Sequence, residues 1–426
     1  MKTYIYPERR EWQRLVRRPG LKRSALDSIV MNIIEDVRQR GDIALRKYSR
    51  EFDGLNIEEF RLSGSEIHGA AKSVPEELKK AIQLAKANIE KFHMSQVVEE
   101  EIIETSPGVK CWRKNIAVER AGLYIPGGTA PLFSTVLMLA VPAKVAGCDQ
   151  VILCTPPAKD GRINPVLLYA AQIAGVKEIY RIGGAQAIAA MAYGTKSVPA
   201  VDKIFGPGNQ YVTRAKQIVQ LEGVAIDMPA GPSEVLVIAD NKSRPDFVAA
   251  DLLSQAEHGI DSQVVLVTDY EPLIGEVENE IKEQLLSLPR KKIARESLSN
   301  SFSVLLRTKE ECIAFSNTYA PEHLILSLDG AVRLAGKVKN AGSVFIGQYS
   351  CESAGDYASG TNHTLPTNGY SRSYSGVSTE SFMKKISFQE ISPKGLQRIG
   401  NAIELMAEAE QLRGHRNAVS IRLKNI

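Results

Sequence analysis

The stretch PLFSTVLMLAVPAKVAG (131–147), followed at once by DQVILCTPP (149–157), decides the fold class. The first segment is apolar on every side, which marks a helix buried inside a domain. The second is a short Val/Ile/Leu/Cys run closed by Pro-Pro, the pattern of a buried strand. The same alternation extends outward. Upstream, 22–48 and 75–93 read as helices ahead of short β-rich pieces. Downstream, INPVLLYAAQIAG (163–175) reads as a helix, VKEIYRIGG (176–184) as a strand with a glycine turn, and GAQAIAAMAYG (184–194) as a helix. VDKIFGPG (201–208) and the helix NQYVTRAKQIVQ (209–220) follow, then the strand EVLVIAD (234–240), the helix FVAADLLSQAEHG (247–259) and the strand SQVVLVTD (262–269). Strands alternating with helices predict an α/β fold of parallel sheets covered by helices. Two such units are expected, with a break near DMPAGPSE (227–234). The tail from about 389 reads as helical (392–412), ending in a strand-like AVSIRL (418–423), and no internal repeat is evident.

The chain has 426 residues, too many for one core, and its 44% hydrophobic and 24% charged residues are ordinary globular values. No apolar run approaches a membrane span, and the N-terminus has no signal-peptide core, so a cytoplasmic protein is expected. Cys111, Cys148, Cys154, Cys312 and Cys351 form no CxxC pair and are expected as free thiols. Net charge is +4, yet residues 1–23 alone carry eight Lys/Arg against Glu8 and Glu11. A nucleic-acid arm would be basic too, but Tyr4, Tyr6, Trp12, Leu15 and Val16 are interleaved, so the arm is expected to pack on another surface, such as a partner subunit's.

Four of the six histidines lie in polar, glycine-punctuated segments of the last two-fifths: His258, His323, His363 and His415, with Gln255, Glu322, Asp356 and Glu410 close by. A chain without thiolate pairs can build a zinc site only from such N/O groups. Each signal has a bland counterpart. Gln255 and His258, three apart, share one face of a predicted helix, but such a pair is more often a polar helix end. Asp356 reads as a loop carboxylate or a turn residue. His415 after Gly414 could be a helix-terminal histidine. Glu322-His323 after Ala320-Pro321 offers two adjacent bases, or the start of a Pro-initiated helix. Three glycine turns, YIPGG (124–128), IGGAQ (182–186) and FGPGNQ (205–210), suit phosphates at helix N-termini, but no GxGxxG follows a strand.

Together, GLYIPGGTAP (122–131), IGGAQAIAA (182–190), GPGNQYV (206–212), DMPAGPSEV (227–235), LLSQAEHG (252–259), APEHL (320–324), AGDYASGTNHTLPT (354–367) and HRNAV (415–419) resemble, in order, the histidinol dehydrogenase family over nearly the whole chain. That resemblance implies oxidation of L-histidinol to L-histidine through histidinaldehyde, with two NAD-dependent steps and one zinc per subunit. It implies Gln255, His258, Asp356 and His415 as zinc ligands, and Glu322 and His323 as the bases. Ser233, His363 and Glu410, with the zinc ligands and His323, would contact substrate. Tyr124, Gln186 and Asn209 would contact NAD. It further implies an intertwined homodimer of two incomplete Rossmann-like domains. These would be 20–123 with 235–376, and 124–234, with an arm (1–19) and a C-terminal helical segment (377–426) crossing to the partner. A dehydrogenase of the same family acting on another polar alcohol and a zinc hydrolase are the rival readings; neither nucleic acid nor membrane is an expected partner.

Overall fold

The computed structural model describes residues 1–18, 23–127, 131–229 and 231–426, with side chains from Leu26 onward in the helix that begins at Arg23. Gly128 of the first glycine turn and Ala230 of the expected break lie outside the described residues. The strands are β1 (Lys2–Ile5), β2 (Ile103–Ser106), β3 (Val109–Ala117), β4 (Arg120–Tyr124), β5 (Gln150–Thr155), β6 (Glu178–Arg181), β7 (Lys203–Phe205), β8 (Ala225–Ile226), β9 (Glu234–Ala239), β10 (Gln263–Thr268), β11 (Phe302–Leu305), β12 (His323–Ser327), β13 (Ser343–Ile346) and β14 (Met383–Ile391).

Two all-parallel sheets carry the fold. One runs β6-β5-β4-β7-β8, the other β1-β11-β10-β9-β12-β13. Without β1 they share one topology. The first strand in sequence is central, the next two add on one side, and the chain then returns to add two on the other. This is the doubly wound pattern with one strand missing, so both units are incomplete Rossmann-like domains. Apolar side chains leave both faces of each sheet, as the buried strand patterns predict. Ala121, Leu123 and Leu153 pack on one face of the five-stranded sheet, Ile152, Cys154 and Ile204 on the other. Leu236, Val265 and Leu324 against Val235, Val264 and Ile325 do the same in the six-stranded sheet. Each fully buried Val, Leu or Ile among them contributes about 1.5–3 kcal/mol.

Three expectations change. The helices between Arg23 and Met94 cover the five-stranded sheet: Val30, Val37, Leu45 and Tyr48 join one of its cores, Ile67, Ile82 and Ile89 the other. These helices therefore pack against 124–234, and the last of them also meets 235–376, where Asn88 Nδ2 donates to the Ala358 carbonyl at 2.8 Å. The N-terminal arm packs on its own chain, where β1 extends the six-stranded sheet beside β11 and Trp12, Leu15 and Val16 enter that sheet's core. AVSIRL (418–423) is helical, as part of Arg413–Leu423. That helix lies against Pro393–Ala409 with Leu423 over Gly400, where a Cβ would come within 2.8 Å of it, and Ser420 hydrogen-bonded to Glu404.

A third, antiparallel sheet, β14-β3-β2, was not legible in the sequence. Of the nine residues of β14, eight are exposed. Ile386, Phe388 and Ile391 on this strand, and Leu405, Met406 and Ile421 on the two C-terminal helices, are exposed large hydrophobics. No helix among the described residues is long and apolar enough to cross a membrane.

Candidate active site

The six-stranded sheet presents its site at the amino ends of β9 and β12. The helix Lys309–Tyr319 stops at Ala320, which sits in the left-handed region (φ 55°) and carries the chain into Pro321. Proline there blocks further helix and the residue before it is barred from helical dihedrals, so Glu322-His323 opens a strand and not a helix. Both side chains are buried. The main chain of Glu234, at the head of the neighbouring β9, holds the pair. Its N–H donates to Glu322 Oε2 at 2.8 Å, and its carbonyl lies 3.1 Å from His323 Nδ1.

A carbonyl can only accept, so Nδ1 carries the imidazole proton and Nε2 keeps its lone pair. Nε2 is buried without a hydrogen-bond partner, 3.9 Å from Asp356 Oδ1. Burial lowers the His323 pKa to about 4, so the ring is neutral at pH 7, with its free nitrogen facing the cluster. Burial likewise pushes the Glu322 carboxyl well above the usual carboxylate range. His323 is thus built to accept a proton at Nε2, and Glu322 lies 3.7 Å from its other nitrogen.

The other sequence-chosen groups converge here. Gln255 is fully buried on the helix Pro245–Ala256, its Nε2 3.5 Å from Glu322 and its Oε1 unpartnered. His258 lies just past that helix, in a turn closed by its N–H on the Gln255 carbonyl at 3.2 Å. Asp356 belongs to the short helix Glu352–Tyr357 and not to a loop. Its main-chain carbonyl meets His363 Nδ1 at 3.0 Å, and His363 Nε2 lies 3.1 Å from Thr135 Oγ1.

Sequence reasoning missed Glu352. It is buried, neither oxygen has a hydrogen-bond partner, and burial pushes its carboxyl far up. The signal was present: Glu352 and Asp356 are four residues apart, on one face of their helix. His258, Glu352 and Asp356 each offer a ligand atom, all within 4.8 Å of one another. A buried polar atom left without a partner costs about 1–3 kcal/mol. Gln255 Oε1, His323 Nε2 and both Glu352 oxygens are such atoms, all acceptors. An all-acceptor N/O set of this kind fits a divalent cation such as zinc.

The five-stranded sheet faces this cluster with its carboxyl ends, where doubly wound sheets bind ligands between the first and fourth strands. A small cavity joins the two sheets, lined by Gly206, Asp227 and Met228 on one side and Ser233, Glu322 and His363 on the other. Tyr124 ends β4, and its hydroxyl accepts the Gly184 N–H at 3.0 Å. Gln186 is buried in the first turn of Gly184–Tyr193 with Oε1 unpartnered. Asn209 caps Gln210–Leu221 through the N–H groups of Tyr211 and Val212. The three residues thus gather at two helix N-termini beside the strand order's switch point. Gly206 is required there. Its φ is 122°, and a Cβ would come within 2.0 Å of the Tyr124 carbonyl. Gly206→Ala is expected to lower Tm; an unchanged Tm would contradict this reading of the loop.

Glu410 and His415 are not brought to the cluster. Both are exposed, at the end of Pro393–Ala409 and in the first turn of Arg413–Leu423.

The sequence model of the histidinol dehydrogenase family matches residues 16–423. "Histidinol dehydrogenase" of Bacteroides fragilis is 57% identical over 426 residues, covering all of both chains. That of Salmonella typhimurium is 51% identical over 414 residues, covering 96% of this chain and 94% of its own. The crystal structure of histidinol dehydrogenase from Elizabethkingia anophelis superposes with a TM-score of 0.98 at 57% identity, covering 100% of this chain and 98% of that one. Matches of this length, on a chain whose buried Glu-His pair faces a helix-borne set of unpartnered acceptors, make it a member of the histidinol dehydrogenase family.

Proposed function

We propose that the chain oxidises L-histidinol to L-histidine, by way of L-histidinaldehyde, in two successive NAD-dependent steps. The observation that carries this reading is the neutral, buried His323, whose unpartnered Nε2 lone pair faces the Asp356 carboxylate at 3.9 Å, beside the cluster formed by His258, Glu352 and Asp356. His323 takes the hydroxyl proton as hydride leaves the alcohol carbon for NAD. Glu322, raised in proton affinity by burial, then takes a proton from the water that adds to the aldehyde, and hydride leaves a second time. Gln255, His258 and Asp356, completed by His415, would hold one zinc ion per subunit. The metal would supply a fixed positive centre that binds and orients the substrate's nitrogens. Ser233, His363 and Glu410 line the substrate, Glu410 meeting its ammonium. Tyr124, Gln186 and Asn209 lie along NAD.

Because His415 and Glu410 are exposed on the C-terminal helices, we infer that they complete the site of a partner subunit in a homodimer. The bare β14 sheet and the exposed Leu405, Met406 and Ile421 supply apolar surface for that contact. The cytoplasm suits such a biosynthetic enzyme with five free cysteines. The zinc-loaded protein, given limiting L-histidinol and excess NAD, is expected to form about two NADH per substrate consumed, with histidine as product. One NADH with accumulating aldehyde, or turnover of a different alcohol only, would contradict the assignment.

A further inference from the structure

Arg18 closes the N-terminal arm, far in sequence from every residue of the site, yet it reaches the residue that holds both bases. Its guanidinium grips the Glu234 carboxylate with two hydrogen bonds, Nε to Oε1 at 2.9 Å and Nη2 to Oε2 at 2.7 Å. Both side chains are nearly dry, 9% and 2% exposed. The Arg18 fork is itself fixed. Nη1 donates to the carbonyls of Val16 and Tyr319 at 2.9 and 2.8 Å, and the guanidinium lies 3.6 Å from the centre of the Tyr319 ring. Asn368 N–H adds a third bond to Glu234 Oε1 at 2.9 Å. Glu234 in turn gives its N–H to Glu322 and its carbonyl to His323.

We propose that Arg18 is a positioning residue for the oxidation, acting through Glu234 to set the Glu322-His323 pair. This rests on the functional reading given above. The chemistry selects arginine. A planar fork matches a carboxylate in two bonds and so fixes the rotation of Glu234, which a lysine's point charge does not. Without the fork the buried carboxylate loses its counter-charge, and shifting, taking up a proton or drawing in water each change how the head of β9 is held. A shift there moves the donor to Glu322 and the acceptor from His323 together. Displacements of about 1 Å in such a pair lower rates by roughly a hundredfold. The arm thereby has a catalytic consequence beyond extending the sheet.

A pocket of about 420 Å³, lined by Gln13, Arg17, Arg18, Thr318 and Arg372 among others, opens onto this fork. It gives a small cation a route to Glu234 and makes the proposal testable by chemical rescue. In zinc-loaded full-length protein, Arg18→Ala is expected to lower kcat roughly ten- to hundredfold with KM for NAD little changed. Low guanidinium chloride is expected to restore part of that loss, while leaving the wild type and Glu234→Gln unaffected. Glu234→Gln, which breaks the ion pair from the other side, is expected to lower kcat in the same way. Amide exchange followed by mass spectrometry supplies a readout independent of turnover. The Glu234 N–H, held by Glu322, is expected to exchange faster in Arg18→Ala with the thermal midpoint still well above assay temperature. Should Arg18→Ala fail to fold, Glu234→Gln decides by kcat and by amide exchange at position 234. Normal kcat in the folded variants, or a loss with unchanged exchange at position 234 and, in Arg18→Ala, no response to guanidinium, overturns the proposal. A wild-type chain that makes no NADH from L-histidinol overturns the functional reading instead, and the exchange experiment still judges the coupling.

Discussion

His323→Asn is expected to slow both oxidations by about two to four powers of ten, with zinc content and Tm close to those of the wild type. Asparagine can keep the hydrogen bond that Nδ1 makes to the Glu234 carbonyl, because its amide NH2 is a donor of similar reach. It cannot supply the lone pair of Nε2, the atom that faces Asp356 without a partner. The substitution therefore removes the proton acceptor and leaves its setting. Glu322→Gln separates the steps. A glutamine there can still accept the Glu234 N–H, so the head of β9 stays in place. The water-activating group is lost, and the aldehyde step should slow more than the alcohol step. Rapid-mixing measurements of each hydride transfer, with histidinol and with histidinaldehyde as starting substrates, resolve the two. If Glu322→Gln impairs alcohol oxidation more than aldehyde oxidation, the roles are reversed; if His323→Asn retains more than a tenth of wild-type kcat, the base lies elsewhere.

What could be read from the chain follows from how local each signal is. The buried strands 150–155 and 234–239 and the helix 133–146 announce themselves by composition, because most side chains of such an element meet apolar surroundings. The three-stranded β14 sheet does not, since KKISFQEI (384–391) alternates polar and apolar residues with both faces exposed in the isolated chain. The repeated topology of the two sheets is invisible as a sequence repeat: backbone direction and strand order recur while the side chains serve different neighbours. Spacing alone favours a Pro-initiated helix at Glu322-His323, whereas Pro321 marks a helix stop and a strand follows. Glu352 was lost because it lies among Ser, Gly and Cys, where burial is not expected. The arm's destination was misread for a related reason. Its interleaved apolar residues fit any apolar surface, and only the pairing of β1 with β11 selects this chain's own sheet.

The same ambiguity at the C-terminus frames the second large effect. His258→Asn and Asp356→Asn are each expected to lower zinc content and to reduce activity by a factor of about ten to a hundred or more, with little loss of fold, since neither side chain is part of an apolar core. His415→Asn is expected to do the same, although His415 is exposed on a helix that carries no other residue of the cluster. If His415 serves a partner's site, subunits bearing His415→Asn and subunits bearing His258→Asn can complement each other. In a mixed dimer one site then holds both lesions and the other holds none, so such dimers should recover activity and bind about half the zinc of the wild type. If every ligand came from one chain, each site of the mixed dimer would carry one lesion and nothing would be recovered. The experiment needs differently tagged subunits co-expressed and purified over both tags, with metal and activity measured on the same sample. Mixed dimers of verified composition that stay inactive would remove His415 from the shared site. The exposed apolar faces of β14 and of the two C-terminal helices would then need another occupant.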